Sequence, residues 1–269
     1  MLTWKQKLVI ILNSTVLFLI AYILIFSLTS LFTGISASVF DIPTRVYYNQ
    51  ILFFIASNDW TSDAVKAIFS TGPILSLIMG ILLWILYSKV NEETGILKLL
   101  VAWMMAHCIV FFFGDIMMGA LFTKGFGYVI MYLYFMDTGK MILTLFAFTA
   151  MFTLGLFMAR GLLYTANTYV TVLRGDKAGQ FTLFQYLIPY VIGNIIIYLV
   201  KLPDISLYEI FLNASLILFL VPIIIRSDML QDLYFEEEPK KIKVYWISLC
   251  IVLVMLPLFR IIFGIGIRF

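Results

Sequence analysis

Seven stretches of this chain, residues 8–32, 65–87, 96–113, 141–163, 183–200, 207–225 and 244–263, are apolar almost without interruption. A helix needs about 20 such residues to cross the hydrocarbon of a bilayer. Lipid offers no partner to a backbone N–H or C=O, so a spanning segment must be an α-helix or a strand of a closed barrel. Barrel strands alternate polar and apolar side chains, and these runs do not alternate. The expected fold class is an all-α membrane protein, a polytopic bundle of six to seven transmembrane helices. It forms a single integral membrane domain over residues 1–269, with the lipid bilayer as its first partner.

Composition agrees and narrows the function. Hydrophobic residues make up 63% and charged residues 12%, against roughly 45–50% and about 25% in soluble domains. The mean hydropathy is +1.05. A net charge of +3, scattered over loops, forms no surface for nucleic acid. Cys108 and Cys250 sit inside apolar runs, where a thiol behaves as a small hydrophobe. No Cys/His spacing fits a metal, and no cofactor motif is present. At the N-terminus, Lys5 and Lys7 precede an apolar run as in a signal peptide, but residues 8–32 exceed the ~7–15 of such a segment. They read as the first span.

Lysine and arginine set the orientation, because cationic loops stay on the cytoplasmic side. With the N-terminus inside, that side holds eleven (Lys5, Lys7, Lys89, Lys98, Arg160, Arg174, Lys177, Arg226, Lys240, Lys241 and Lys243) and the other holds seven. The bias and the short loops fit a bacterial inner membrane with a cytoplasmic N-terminus. Residues 34–60 are rich in β-branched and aromatic side chains between turn residues, the pattern of a short hairpin or an interfacial segment after the first span. Residues 128–136 are apolar but too short to cross, and read as interfacial, re-entrant or an extension of the fourth span. Residues 236–241, EEEPKK, read as a charged connector. The spans show no internal repeat of transporter type.

Ionisable side chains within a span cost about 2.5–3.5 kcal/mol on insertion scales, so each marks a candidate functional site. The only histidine, His107, and Asp115 lie in AHCIVFFFGDIMMG. Eight positions separate them, roughly 12 Å along a helix, too far for direct contact. His107 reads as a neutral imidazole bonded to a neighbouring helix. Gly114, Gly119, Gly125 and Gly127 suggest that the third span ends near Gly114, leaving Asp115 at the interface as a cap. Asn13, Asn194, Asn213 and Glu209 are the other polar groups inside spans, and the asparagines are expected to bond adjacent helices. Pro189 and Gly193 flank a kink beside Asn194, and Arg260 is expected to snorkel or to pair with an acid. One histidine is too few for a catalytic zinc, and no serine carries a GxSxG signature.

The segment VKAIFSTGPILSLIMGILLWILY, residues 65–87, resembles a recurring segment of site-2 protease-type intramembrane metalloproteases. In that family a small residue followed by Gly-Pro opens a long aliphatic helix after a membrane-associated β-rich region. Here Gly72-Pro73 takes that place, and Asp115 falls where the family carries an aspartate ligand. The zinc-binding HExxH is absent, since the first span reads NSTVLFLIAY at 13–22, and the family's Asn-Pro is absent too. The resemblance therefore implies a degenerate scaffold without an activated water. The expected function is a non-catalytic subunit or scaffold of a larger membrane complex, with other membrane subunits as partners. The alternatives are a small transporter or channel, with His107, Asp115, Asn194 and Glu209 lining a path, and the degenerate protease-like protein.

Overall fold

A computed structural model describes residues 2–89, 95–235 and 242–269; the connector expected at 236–241 lies outside them. Among the described residues, seven helices are long and apolar enough to cross a membrane: Trp4–Val39, Ser62–Lys89, Gly95–Phe122, Asp137–Thr168, Gly175–Lys201, Leu207–Ser227 and Trp246–Ile265. The protein is an all-α, multi-pass membrane bundle. Helix α1 (Trp4–Val39) opens with a capping box, in which the Thr3 hydroxyl accepts from Gln6 N–H and the Gln6 amide accepts from Thr3 N–H. It continues past the expected end at residue 32 through Gly34, over which the Phe269 ring is laid. A helix apolar on every side belongs in the interior. In α1, 72% of the most apolar window is buried, against 17% in the last span, so α1 is the axis and the last span faces lipid.

Helix α2 (Ser62–Lys89), the composite third span and the last span pack on α1. The third span does not end at Gly114. It runs as α3 (Gly95–Ile109), a π-helical turn (Val110–Gly114) and α4 (Asp115–Phe122). Gly114 keeps right-handed helical geometry, and a Cβ there would stand 2.6 Å from Ser215 Oγ. This glycine permits a close approach to the neighbouring span. The break comes later, at Thr123 and Gly125, both with positive φ. Helix α5 (Phe126–Tyr132) is a separate short helix, not an extension of the fourth span.

Helix α6 (Asp137–Leu163) and a 3₁₀ turn (Tyr164–Thr168) form the fourth span. The fifth is α7 (Gly175–Thr182), a second π turn (Leu183–Leu187) and α8 (Ile188–Lys201); Pro189, with no N–H to offer, follows the π turn, and the Gln185 carbonyl four residues earlier accepts from Ser14 instead. Helices α9 (Leu207–Ala214) and α10 (Ile217–Ser227) make the sixth, and α11 (Trp246–Ile265) the seventh. Small residues let backbones touch in a membrane. A Cβ on Gly155 of α6 would meet Phe219 O of α10 at 2.3 Å, and one on Gly193 of α8 would meet the Phe18 ring at 2.2 Å.

Each end of the bundle carries a small sheet. Residues 34–60 do contain a hairpin, β1 (Thr44–Val46) with β2 (Ile51–Phe53), and β5 (Ile267–Arg268) pairs with the other side of β1. That end is termed the C-terminal face. At the N-terminal face β3 (Val172–Leu173) pairs with β4 (Leu233–Tyr234), packed with Ile10, Tyr169 and Phe235. Because the atom opposing Gly155 is backbone, Gly155→Ala is expected to force α6 from α10 and cost about 1–3 kcal/mol. Gly264→Ala, with nothing within 4 Å of the added carbon, should leave the melting temperature in detergent unchanged.

Candidate functional site

His107 stands where α3 crosses α1, 3% exposed, with Nε2 3.3 Å from the Phe18 carbonyl oxygen. The rings of Phe18 and Tyr22 lie 4.6 and 5.4 Å from the imidazole. One turn earlier, Trp103 Nε1 donates to Ser14 Oγ at 2.9 Å, and Ser14 donates to the Gln185 carbonyl. This is the helix-to-helix bonding expected of His107, inside a closed aromatic shell.

The charged centre of the membrane lies elsewhere, on a residue that hydropathy assigns to a loop. Lys201 is fully buried at the end of α8, and its Nζ forms an ion pair with Glu209 Oε1 and donates to the Tyr22 hydroxyl at 2.8 Å. Tyr22 in turn donates to the same Glu209 oxygen at 3.2 Å. The Phe26 ring centroid is 4.1 Å from Nζ, a cation–π contact in a desolvated place. Local sequence makes the pair. Lys201 ends α8, where a cation faces the negative helix terminus, and Ser206 caps α9 so that Glu209 falls in its positive first turn. Among the described residues Glu209 Oε2 is buried without a hydrogen-bond partner, while the Asn213 amide, one turn on, approaches the Tyr22 and Tyr198 hydroxyls. Glu209 is thus at a helix start and paired, not isolated at midspan.

Helix α9 presents a second stripe, Tyr208 and Leu212, to an open cavity of about 1410 Å³ at the C-terminal face. Asp115 lies on its wall and is buried apart from a small part of its surface. It accepts a hydrogen bond from the Tyr208 hydroxyl and another from Phe126 N–H, the first residue of α5. Gly125 sits against this pair; a Cβ would stand 2.5 Å from Asp115 Oδ1 and 2.6 Å from the Tyr208 oxygen, and its φ is +54°. Tyr48, Tyr128, Trp60 and Phe69 supply aromatic walls, and Asp204 accepts from Tyr48 at 3.2 Å. Phe26 separates the cavity from Lys201, touching both.

The other candidates scatter. Asn194 donates to Tyr190 O in its own helix at 2.9 Å and bonds no neighbouring span. Asn13 binds the chain near the last span, accepting from Tyr245 N–H and donating to Lys243 O. Arg260 pairs with no acid; it stacks 3.9 Å from the Tyr48 ring centroid and donates to Leu202 O. His107 and Asp115 each have partners of their own. Among the described residues no three His, Cys, Asp or Glu side chains converge as metal ligands. No family model, no curated protein and no solved structure matches the chain.

Removing one member of a buried ion pair leaves the other uncompensated. Lys201→Met is expected to destabilise the bundle by about 3–5 kcal/mol, and the double variant Lys201→Met/Glu209→Leu to recover most of that. Melting of the four proteins of this cycle in one detergent gives the coupling.

Proposed function

We propose that the chain is a non-catalytic, ligand-binding subunit of a membrane assembly, and that the cavity at the C-terminal face receives an amphipathic cation. With the N-terminus in the cytoplasm of a bacterial inner membrane, the cavity opens outward. The observation that carries this reading is the cavity itself: about 1410 Å³, open at one end, aromatic-walled, with Asp115 and Asp204 against the single ammonium of Lys124 among its lining residues. Binding sites are commonly concave and largely apolar, with a few placed polar groups. Faces of tyrosine and tryptophan beside carboxylates attract organic cations. The closed shell of Phe18, Trp103 and Tyr22 around His107 weighs against a path through to the N-terminal face, and so against a channel.

One observation favours a second reading, a degenerate protease-like scaffold. Gly72, Pro73 and Asp115, the residues that carry the resemblance to site-2 protease-type enzymes, line this same cavity beside the β1–β2 hairpin. In that reading the occupant is a peptide.

Single-cysteine proteins test the proposal. With Cys108→Ala and Cys250→Ser as background, Ser30→Cys in the cavity should react with a membrane-impermeant maleimide added outside intact cells. A protein retaining only the buried Cys108 should stay unlabelled. In nanodiscs, dodecyltrimethylammonium should slow the reaction at Ser30→Cys several-fold, and Asp115→Asn should remove that protection. No labelling from outside, or protection unchanged by Asp115→Asn, would overturn it.

A further inference from the structure

A second concavity, of about 720 Å³, opens at the opposite, N-terminal face and owes nothing to the first. It lies between the start of α1, the 169–174 segment and α7. Among the described residues, its charged lining side chains are Lys7, Arg174 and Lys177, and no carboxylate lines it. None of the three forms an ion pair among the described residues. Three cations gathered round one hollow repel one another unless an anion joins them.

Two of the described acids, Asp228 and Asp232, are bound to the backbone of α7 on its other side. Asp232 accepts from Gly175 N–H at 2.8 Å and Asp228 from Gly179 N–H at 2.9 Å. A Cβ on Gly179 would stand 2.2 Å from Asp228 Oδ1, so the glycine is what lets that carboxylate close on the helix. Gly175 and Gly179 share one stripe of α7; Lys177, Gln180, Phe181 and Phe184 form the stripe that faces the cavity. Asp228 and Asp232 thereby close on one side of the helix while Lys177 lies on the other, and Asp176 stands exposed in the first turn. Burial pushes the Tyr169 phenol above its usual range, so this lining residue adds no negative charge. Lys7 is held at the rim, with its ammonium 4.7 Å from the Phe184 ring centroid. Leu2, Phe181 and Ile242 give the wall an apolar part, beside the polar Gln6, Thr171 and Gln180.

We propose that this cavity binds a net-anionic phosphate group. Arginine grips phosphate through its planar fork and lysine as a point charge. The apolar wall at the level of the bundle's end fits the phosphate of an anionic phospholipid; a soluble phosphate compound would offer the same charge to Lys7, Arg174 and Lys177.

The test uses the full chain in nanodiscs of phosphatidylcholine alone, and in discs containing phosphatidylglycerol, with inorganic pyrophosphate added to a third sample. Melting temperature is read in each, and native mass spectrometry counts retained phosphatidylglycerol. Phosphatidylglycerol should raise the melting temperature. Each of Lys7→Gln, Arg174→Gln and Lys177→Gln should weaken retention about fivefold, the weight of one cation near an anionic surface. Arg226→Gln, an exposed cation toward the same end that does not line the cavity, should retain lipid as the unaltered protein does. A rise with pyrophosphate in neutral discs, lost in the same three variants, would assign the site to a soluble phosphate. If neither ligand moves the melting temperature, or if Arg226→Gln costs as much as the cavity variants, the proposal fails.

Discussion

A lysine and a glutamate facing each other among phenylalanines inside a membrane cannot easily part. Either charge alone in hydrocarbon is costly, and their attraction is strong only while water is kept out. The Lys201–Glu209 pair therefore fixes the end of α8 against the start of α9, and the Tyr22 hydroxyl fixes both to α1. Since α1 is the axis on which α2, α3 and α11 pack, the pair ties the sixth span to the centre of the bundle. Helix α9 is eight residues long, and its two adjacent stripes have different tasks. Glu209 and Asn213 look to the buried pair, while Tyr208 and Leu212 form the cavity wall and hold Asp115. The cavity's shape thus depends on the ion pair behind it.

The π turns serve the same end. A π turn admits one extra residue and rotates the rest of its helix, and such turns are frequent at functional sites. The turn at Val110–Gly114 lies between His107, which faces the closed core, and Asp115, which faces the cavity. The turn at Leu183–Leu187 frees the Gln185 carbonyl region for Ser14, and Gln185 Nε2 donates to Thr165 Oγ1 at 2.7 Å. Both irregularities sit where buried polar groups need partners from neighbouring helices, a requirement that lipid cannot meet.

The spans are legible in the sequence because apolar length is a local property: six of the seven runs fall within their helices, and the last, 244–263, starts two residues before its helix. The hairpin after the first span is legible for the same reason, from β-branched and aromatic residues between turns. The pairing of β5 with β1 is not, since Ile267 and Arg268 lie more than two hundred residues from Val46 and Arg45. Gly114 misleads because a glycine that admits Ser215 and a glycine that breaks a helix look alike in sequence. Hydropathy alone ends the fifth span at Val200 and so puts Lys201 in a loop. A local signal does exist: Ser206-Leu-Tyr-Glu209 is a capping-box pattern, which starts a helix at Leu207 and leaves only a short connection after Lys201. A lysine ending one helix and a glutamate starting the next across so short a loop are apt to meet. Tyr22 and Tyr208 carry no such signal, because a tyrosine in a span reads equally well as lipid-facing.

The two ends of the bundle differ in a way that apolar spans alone do not require. At the C-terminal face the cavity's carboxylates are each held by a tyrosine hydroxyl, Asp115 by Tyr208 and Asp204 by Tyr48, so that they stay in place among aromatic rings. At the N-terminal face Asp228 and Asp232 are turned onto the backbone of α7, and Lys7, Arg174 and Lys177 line the hollow. A bias of cations toward one membrane face needs only loop charges. Setting Asp228 and Asp232 across a single short helix from Lys177, with glycines placed to let the acids close in, needs side-chain geometry as well. That geometry is the feature that orientation alone leaves unexplained: carboxylates line the hollow at one face and cations the hollow at the other.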